Sequence, residues 1–190
     1  IATLSNGDKI SANSVVLALP PRVAAQITFL PALSAAATQT MQNVATWMAG
    51  QAKAVAVYDR PFWRDAGLSG DAMSRKGPMV EIHDASPATG GPYALFGFIG
   101  VPPNGRADQQ VLRQHLKAQL IRLFGPKAAE PRQLYVKDWA FDPFTATDAD
   151  KAALYAHPTY GLPQAMTGLW DDRLHFTGSE VAPTFGGYIE

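Results

Sequence analysis

The sequence contains no cysteine, which excludes disulfides, thiolate nucleophiles, iron–sulfur clusters and cysteine-bound zinc while saying little about compartment. It has no excess of either charge. Sixteen basic and 16 acidic residues sum to zero, so no field steers the chain toward nucleic acid or an anionic membrane. No apolar run approaches the roughly 18 residues that cross a bilayer. The opening Ile1-Ala2-Thr3-Leu4-Ser5 has neither the basic segment nor the apolar core of a signal peptide. With no address in the sequence, a soluble, cytoplasmic protein is the default expectation, with neither nucleic acid nor membrane as partner.

The compact enzyme signatures are missing too: there is no GxGxxG, Walker loop, HExxH or GxSxG. His83, His115, His157 and His175 are scattered, never at the i, i+4 spacing that sets two metal ligands on one helix face. Asp148-Ala149-Asp150 and Asp171-Asp172 do not continue into a calcium loop and read as turns. No metal is expected.

What is present is a globular composition, 47% hydrophobic and 17% charged, with 16 glycines and 15 prolines to make turns. Ile1–Leu4, Asn6-Gly7 and Lys9–Ser11 read as a hairpin with a type I′ turn. Ser14–Leu19, valine-rich and closed by Pro20-Pro21, reads as a strand buried on both faces, as in a parallel sheet. Residues 33–48 predict a helix begun by Ser34, with Ala37, Met41, Val44, Ala45 and Met48 near one face. Gln51–Tyr58 alternates as a strand; Met79–His83, Tyr93–Ile99, Leu134–Phe141 and Leu174–Phe176 complete the set. Asp108 is expected to cap a helix to Phe124, its Leu112, Leu116, Leu120 and Phe124 spaced by four and stopped by Gly125-Pro126. The class is α/β in the broad sense (α+β): a mixed β-sheet with flanking helices. A hairpin at residue 1 and a glycine pair near residue 190 predict a stretch of a larger protein.

Two places carry chemistry. Parity puts Lys53 on the Val55 and Val57 face of its strand. A buried ammonium there needs a fixed polar partner such as water or a cofactor atom, whereas a strand-end lysine simply snorkels to solvent. Further on, Leu174-His175-Phe176 runs into Gly178-Ser179-Glu180, and Gly186-Gly187 then leads toward a helix start. Backbone amides in such a connection hold phosphate or a polar ring edge, and Ser179 or Glu180 is placed to bond a ribityl or ribose hydroxyl. An ordinary strand–loop–helix connection has the same pattern.

The closing F-T-G-S-E-V-A-P-T-F-G-G-Y-I-E resembles the flavin-binding motif of the flavin-containing amine oxidases, the monoamine and polyamine oxidase relatives. The stretch Gly50 to Arg64 (GQAKAVAVYDRPFWR) resembles that family's lysine-bearing strand and its Pro-Phe-Trp segment. Ser14–Pro21 resembles its strand ending at the flavin crevice, and Asp138-Trp139 its tryptophan before the loop to the isoalloxazine ring. The four motifs keep the family's order. The resemblance implies a C-terminal part of such an oxidase: residues 1–21 and 171–190 remnants of a Rossmann-like FAD-binding domain, and 22–170 the substrate-binding domain. It implies that Lys53 holds a water beside flavin N5 and that Gly178, Ser179 and Glu180 contact the diphosphate–ribityl part of FAD. Gly187 then lies in the cofactor motif, Ile189 approaches the pyrimidine ring, Tyr188 flanks the amine nitrogen, and Trp139 sits near the flavin edge or lines the pocket.

Without cysteine, FAD is expected to be held non-covalently. The second aromatic wall falls near Ala149, so the substrate cage is incomplete or completed from elsewhere. The family's glycine-rich FAD-binding unit is expected upstream of Ile1, which makes the fragment alone inactive. The intact parent is expected to oxidise a small amine by hydride transfer from its α-carbon to flavin N5, releasing aldehyde and ammonia, with dioxygen reduced to hydrogen peroxide. Other readings are an amino-acid oxidase, a desaturase or a protoporphyrinogen-oxidase-like protein; an arginine gripping a carboxylate would favour the first. A third reading takes the isolated chain as a non-catalytic substrate domain, for which an exposed Val16, Leu17 and Leu19 edge would offer a homodimer contact.

Overall fold

The computed structural model describes residues 1–152, 154 and 156–188. Its strands are β1 (Ala2–Thr3), β2 (Lys9–Ile10), β3 (Val15–Leu17), β4 (Ala52–Tyr58), β5 (Ala72–Met73), β6 (Met79–Asp84), β7 (Tyr93–Ile99), β8 (Gln133–Asp138) and β9 (Leu174–Phe176). The α-helices are α1 (Pro21–Ala24), α2 (Ala35–Asn43), α3 (Phe62–Asp65) and α4 (Gln109–Phe124), with short 3₁₀ turns between elements. By packing the chain divides into two units: residues 1–49, 143–150 and 154–190 form the first, and 50–142 with 151–153 the second. These limits do not coincide with the expected ones at 21/22 and 170/171, because residues 22–49 pack with the terminal segments rather than with the large sheet.

In the first unit β3 and β9 pair in parallel, Val15 to Leu174 through Leu17 to Phe176. Leu17, Ala24, Met41, Met166, Leu174, Phe176 and Val181 form its core. The parallel pairing was expected, but burial on both faces was not met: Val16 is 59% exposed, while Leu17 is buried. The expected sticky edge therefore reduces to Val16 and the half-buried Leu19. The N-terminal hairpin forms, with a different turn. Of Asn6 and Gly7 only the glycine has positive φ (+90°), and Leu4 N–H donates to the Asp8 carbonyl at 2.8 Å. This is a three-residue loop ending on a left-handed glycine, not a type I′ turn.

Helix α2 starts where Ser34 predicts, its Oγ accepting from Ala37 N at 3.1 Å, but stops at Asn43 rather than 48. The next free amides are claimed by distant carboxylates: Thr46 N–H donates to Asp150 Oδ1 (3.1 Å) and Trp47 N–H to Glu180 Oε1 (3.0 Å). Those long-range acceptors replace the helical ones.

The second unit is an antiparallel five-stranded sheet ordered β5-β6-β7-β4-β8. Strand β4, at Ala52, Ala54 and Ala56, buries its small side chains in one cluster with Leu112, Leu116, Leu120 and Phe124 of α4. Alanine lets the helix come close, and the four large side chains each contribute roughly 1.5–3 kcal/mol on burial. The α4 boundaries match expectation: Asp108 Oδ1 accepts from Gln110 N (2.9 Å) and Val111 N (3.0 Å), and Gly125 closes the helix at φ +87°. The opposite sheet face is half-buried and carries Lys53, Val55 and Val57.

Candidate functional site

Lys53 therefore lies on the half-buried face rather than in the packed core. Cross-strand register sets it opposite Phe98 of β7 and Lys137 of β8. Its ammonium is 5.1 Å from the ring centroid of Phe98, 5.7 Å from Phe96 and 5.3 Å from Trp139. Three ring faces attract a cation while leaving its N–H donors unused. Among the described residues it has neither a hydrogen-bond nor an ion-pair partner. Lys137, its like-charged neighbour across the ladder, is paired with Asp142.

Trp139 is placed by backbone and side chain together. Its N–H donates to the Gln51 carbonyl at 3.1 Å. The preceding Asp138, 6% exposed at its side chain, takes a bidentate contact from Arg106, which is 2% exposed: Nε to Oδ2 at 2.7 Å and Nη2 to Oδ1 at 2.9 Å. Arg106 also donates to the carbonyls of Gly50 (2.7 Å) and Val101. Arg64 likewise serves an internal carboxylate, its Nε 2.7 Å from Asp84 Oδ2, which also accepts from Trp63 Nε1 at 2.8 Å. Burial alone would raise the Asp84 pKa, but these donors and Ser86 hold it well below the usual carboxylate range.

The other predicted residues lie in the first unit. Strands β3 and β9 end side by side, Thr177 N–H donating to the Leu17 carbonyl at 3.0 Å, so Gly178 to Glu180 leave the carboxyl edge of a parallel pair, where open α/β sheets take ligands. Gly178 has φ +123° and its amide neighbourhood is open, a Cβ there meeting only a Glu180 oxygen at 3.8 Å. Glu180 is buried and its Oε1 is already bonded to Trp47 N. Gly186 packs so tightly that a Cβ would lie 2.5 Å from the Ser179 carbonyl and 2.7 Å from His157 Nε2. Gly187 has φ +91° beside the Trp47 indole. Tyr188 is 80% exposed in this stretch of chain. Ile189 and any helix beyond it lie outside the described residues. From Thr177 to Tyr188 the only ionisable side chain besides Tyr188 is Glu180. Open glycine backbone and hydroxyls suit the neutral polyol of FAD; a diphosphate would find no cation in this loop.

The sequence shows Asp150 as a turn residue and His157 as an isolated histidine, but not the long-range setting of either. Asp150 forms a turn as expected, taking Thr147 N (2.8 Å) and Oγ1 (2.9 Å) on Oδ2, but it also takes Arg22 Nη1 at 2.6 Å across 128 residues of sequence. Burial works to raise its pKa, and the bonds from Thr147, Thr46 and Arg22 outweigh that and lower it. His157 stacks on Tyr160 (4.2 Å between centroids) and leans on Trp47 (4.7 Å), its Nδ1 2.6 Å from the Pro158 carbonyl. Among the described residues its buried Nε2 has no hydrogen-bond partner. Nearby Thr40, Asn43, Val44, Tyr160, Leu162 and Glu180 line a concavity of about 650 Å³. Among the described residues there is no cluster of three or more metal ligands, and no helix is long and apolar enough to cross a membrane.

An α+β chain with a ring-lined lysine and a glycine-rich loop at a parallel strand edge is consistent with part of a flavoenzyme. The family model for flavin containing amine oxidoreductases matches residues 1–190, and the chain belongs to that family of flavoprotein oxidoreductases. It is 28% identical over 191 residues to a probable flavin-containing monoamine oxidase A of Dictyostelium discoideum, covering 97% of this chain and 40% of that protein. An L-amino acid dehydrogenase of Synechocystis is 26% identical over 186 residues, covering 96% and 38%. The solved structure of cyclohexylamine oxidase from Brevibacterium oxydans superposes with a TM-score of 0.67 at 27% identity, over 93% of this chain and 39% of that one. The chain thus spans about two fifths of the length of these relatives.

Proposed function

We propose that these residues form the lysine-bearing and C-terminal cofactor-contacting part of an FAD-dependent amine oxidase. The observation that carries the reading is the Lys53 ammonium, ringed by Phe96, Phe98 and Trp139 and unpaired among the described residues. An ammonium with unused donors on a half-buried face is suited to hold a water, and the rings exclude bulk solvent around it. When bound, FAD supplies the acceptor for a hydride from the amine α-carbon; the imine hydrolyses to aldehyde and ammonia, and dioxygen takes up the two electrons as hydrogen peroxide.

In this reading Gly178 and Ser179 meet the ribityl part of FAD, Gly187 lets the chain approach it, and Ile189 reaches the pyrimidine edge. Tyr188, exposed here, presents its face to the amine, and Trp139 flanks the pocket. Glu180 acts by holding the Trp47 amide and so the shape of the loop. Within these 190 residues no cysteine is present to link FAD, so this part of the protein holds it non-covalently in this reading. Arg64 and Arg106 already grip internal aspartates and so are not available to a substrate carboxylate.

The test uses the full-length protein containing these residues. Anaerobic mixing with a panel of primary amines and amino acids should bleach the flavin band with amines, and Lys53→Met should keep FAD yet slow its reoxidation by dioxygen. Bleaching by amino acids alone would shift the substrate class, and an unchanged reoxidation rate would remove Lys53 from the chemistry.

A further inference from the structure

One buried guanidinium ties together the three backbones that carry the Lys53 surroundings. Gly50, whose carbonyl takes Arg106 Nη2, enters β4 three residues before Lys53. Val101, whose carbonyl takes Nη1, follows β7 three residues after Phe98. Asp138, held by Nε and Nη2, ends β8 directly before Trp139, and its Oδ1 also accepts from Ala140 N at 3.2 Å. Removing a guanidinium and a carboxylate from water is costly, and buried ion pairs often do no better for stability than apolar side chains of the same size. Stability alone is therefore a weak reason for this pair. Its geometry does something an apolar pair cannot: planar, directional donors fix three strand ends at once.

We propose that Arg106, through Asp138, is a positioning residue for the Lys53 ammonium, setting its place between the Phe98 and Trp139 rings and thereby the rate at which dioxygen reoxidises bound flavin. Neither Arg106 nor Asp138 touches substrate or cofactor in this role. The inference rests on the reading of Lys53 given above, and the experiment separates the two.

The full-length protein is compared as wild type, Lys53→Met, Arg106→Lys and the double variant, following flavin reduction by amine and reoxidation by dioxygen separately. Lysine keeps the charge but cannot bridge three acceptors in a plane. Since misplacing a catalytic group by about 1 Å can cost up to about 10²-fold, Arg106→Lys should slow reoxidation by about tenfold or more while reduction changes by less than about threefold. The double variant should be no slower than Lys53→Met, because Arg106 acts only through Lys53. In the protein without flavin, reductive methylation of Lys53 measured by peptide mass spectrometry should run several-fold faster in Arg106→Lys, relative to the other lysines.

Tyr58→Phe, which removes a hydroxyl bonded to Ala128 O on the opposite face, serves as a variant that loses stability and should leave reoxidation unchanged. Where Arg106→Lys does not fold, Asp138→Asn replaces it with the same expected pattern. Slow Lys53→Met beside normal Arg106→Lys reoxidation overturns this inference and leaves the Lys53 reading standing. Additive losses in the double variant overturn it as well. An unaffected Lys53→Met sinks the reading beneath it.

Discussion

At the scale of the residue, contacts too tight or too distant for the sequence to reveal decide the loops. Gly186 is the tightest: a methyl group there would meet the Ser179 carbonyl at 2.5 Å, and that oxygen is backbone that cannot swing away. Gly186→Ala should therefore lower the unfolding free energy by about 1–3 kcal/mol, read as a fall in the urea midpoint at constant slope. Asp150 is the most distant. Arg22→Ala would leave its buried carboxylate with one donor fewer and should cost roughly 1–3 kcal/mol. The folded-state pKa of Asp150 is depressed, so its contribution is present above the unfolded value near 3.9 and is lost as pH falls through the folded one. In Arg22→Ala the folded value rises toward the unfolded one, so that acid limb should start at the same pH but be shallower and end at higher pH. His83 runs the other way. Its ring N–H groups donate to Glu81 (2.7 Å) and Asp71 (3.1 Å), which raises its pKa, so what it contributes is complete below about 6.5 and fades as pH rises through the folded value. His83→Gln should lose stability near pH 5, where that contribution is complete, and change little at alkaline pH, where it has already faded; an equal loss at both pH values would refute the titration account.

At the scale of the element, helix α4 was legible because every cue was local: a capping aspartate, four apolar residues one turn apart and a glycine stop. Its two kinds of support differ in size. Asp108→Ala removes the acceptor of two amides and should cost about 1 kcal/mol. Leu116→Ala, at a fully buried position, should cost about 2–5 kcal/mol, and finding the cap worth more than the leucine would refute this ordering. The alternation of β4 was equally plain, yet periodicity says which residues share a face and not which face is buried. Hydrophobicity favours Val55 and Val57, but α4 packs on the alanine side because small side chains admit the leucines closely. That is why Lys53 could be placed on a face from sequence while its three-ring setting could not. The same limit applies to α2. Its serine start was visible, whereas its end depends on Asp150 and Glu180, more than a hundred residues away.

At the scale of the whole molecule, the family was legible from four motifs in order, and what the motifs do not contain sets the next expectation. The sequence has no glycine-rich dinucleotide turn, and the loop Thr177–Tyr188 offers a diphosphate one carboxylate and no cation. A dinucleotide whose charge is unmet on the protein keeps its diphosphate in water and contributes affinity only through the polyol and ring. Purified residues 1–190, incubated with FAD and desalted, should therefore be colourless, whereas the full-length protein should keep a yellow flavin band. Folding must be checked in the same sample, for which the near-ultraviolet signal of the buried Trp63 is suited. A flavin band retained by the folded 190 residues would show that β3, β9 and the glycine loop bind FAD without a separate diphosphate cradle. In that case amine turnover should be assayed directly on this chain, and Gly178→Val, which crowds the open backbone at φ +123°, should abolish the colour.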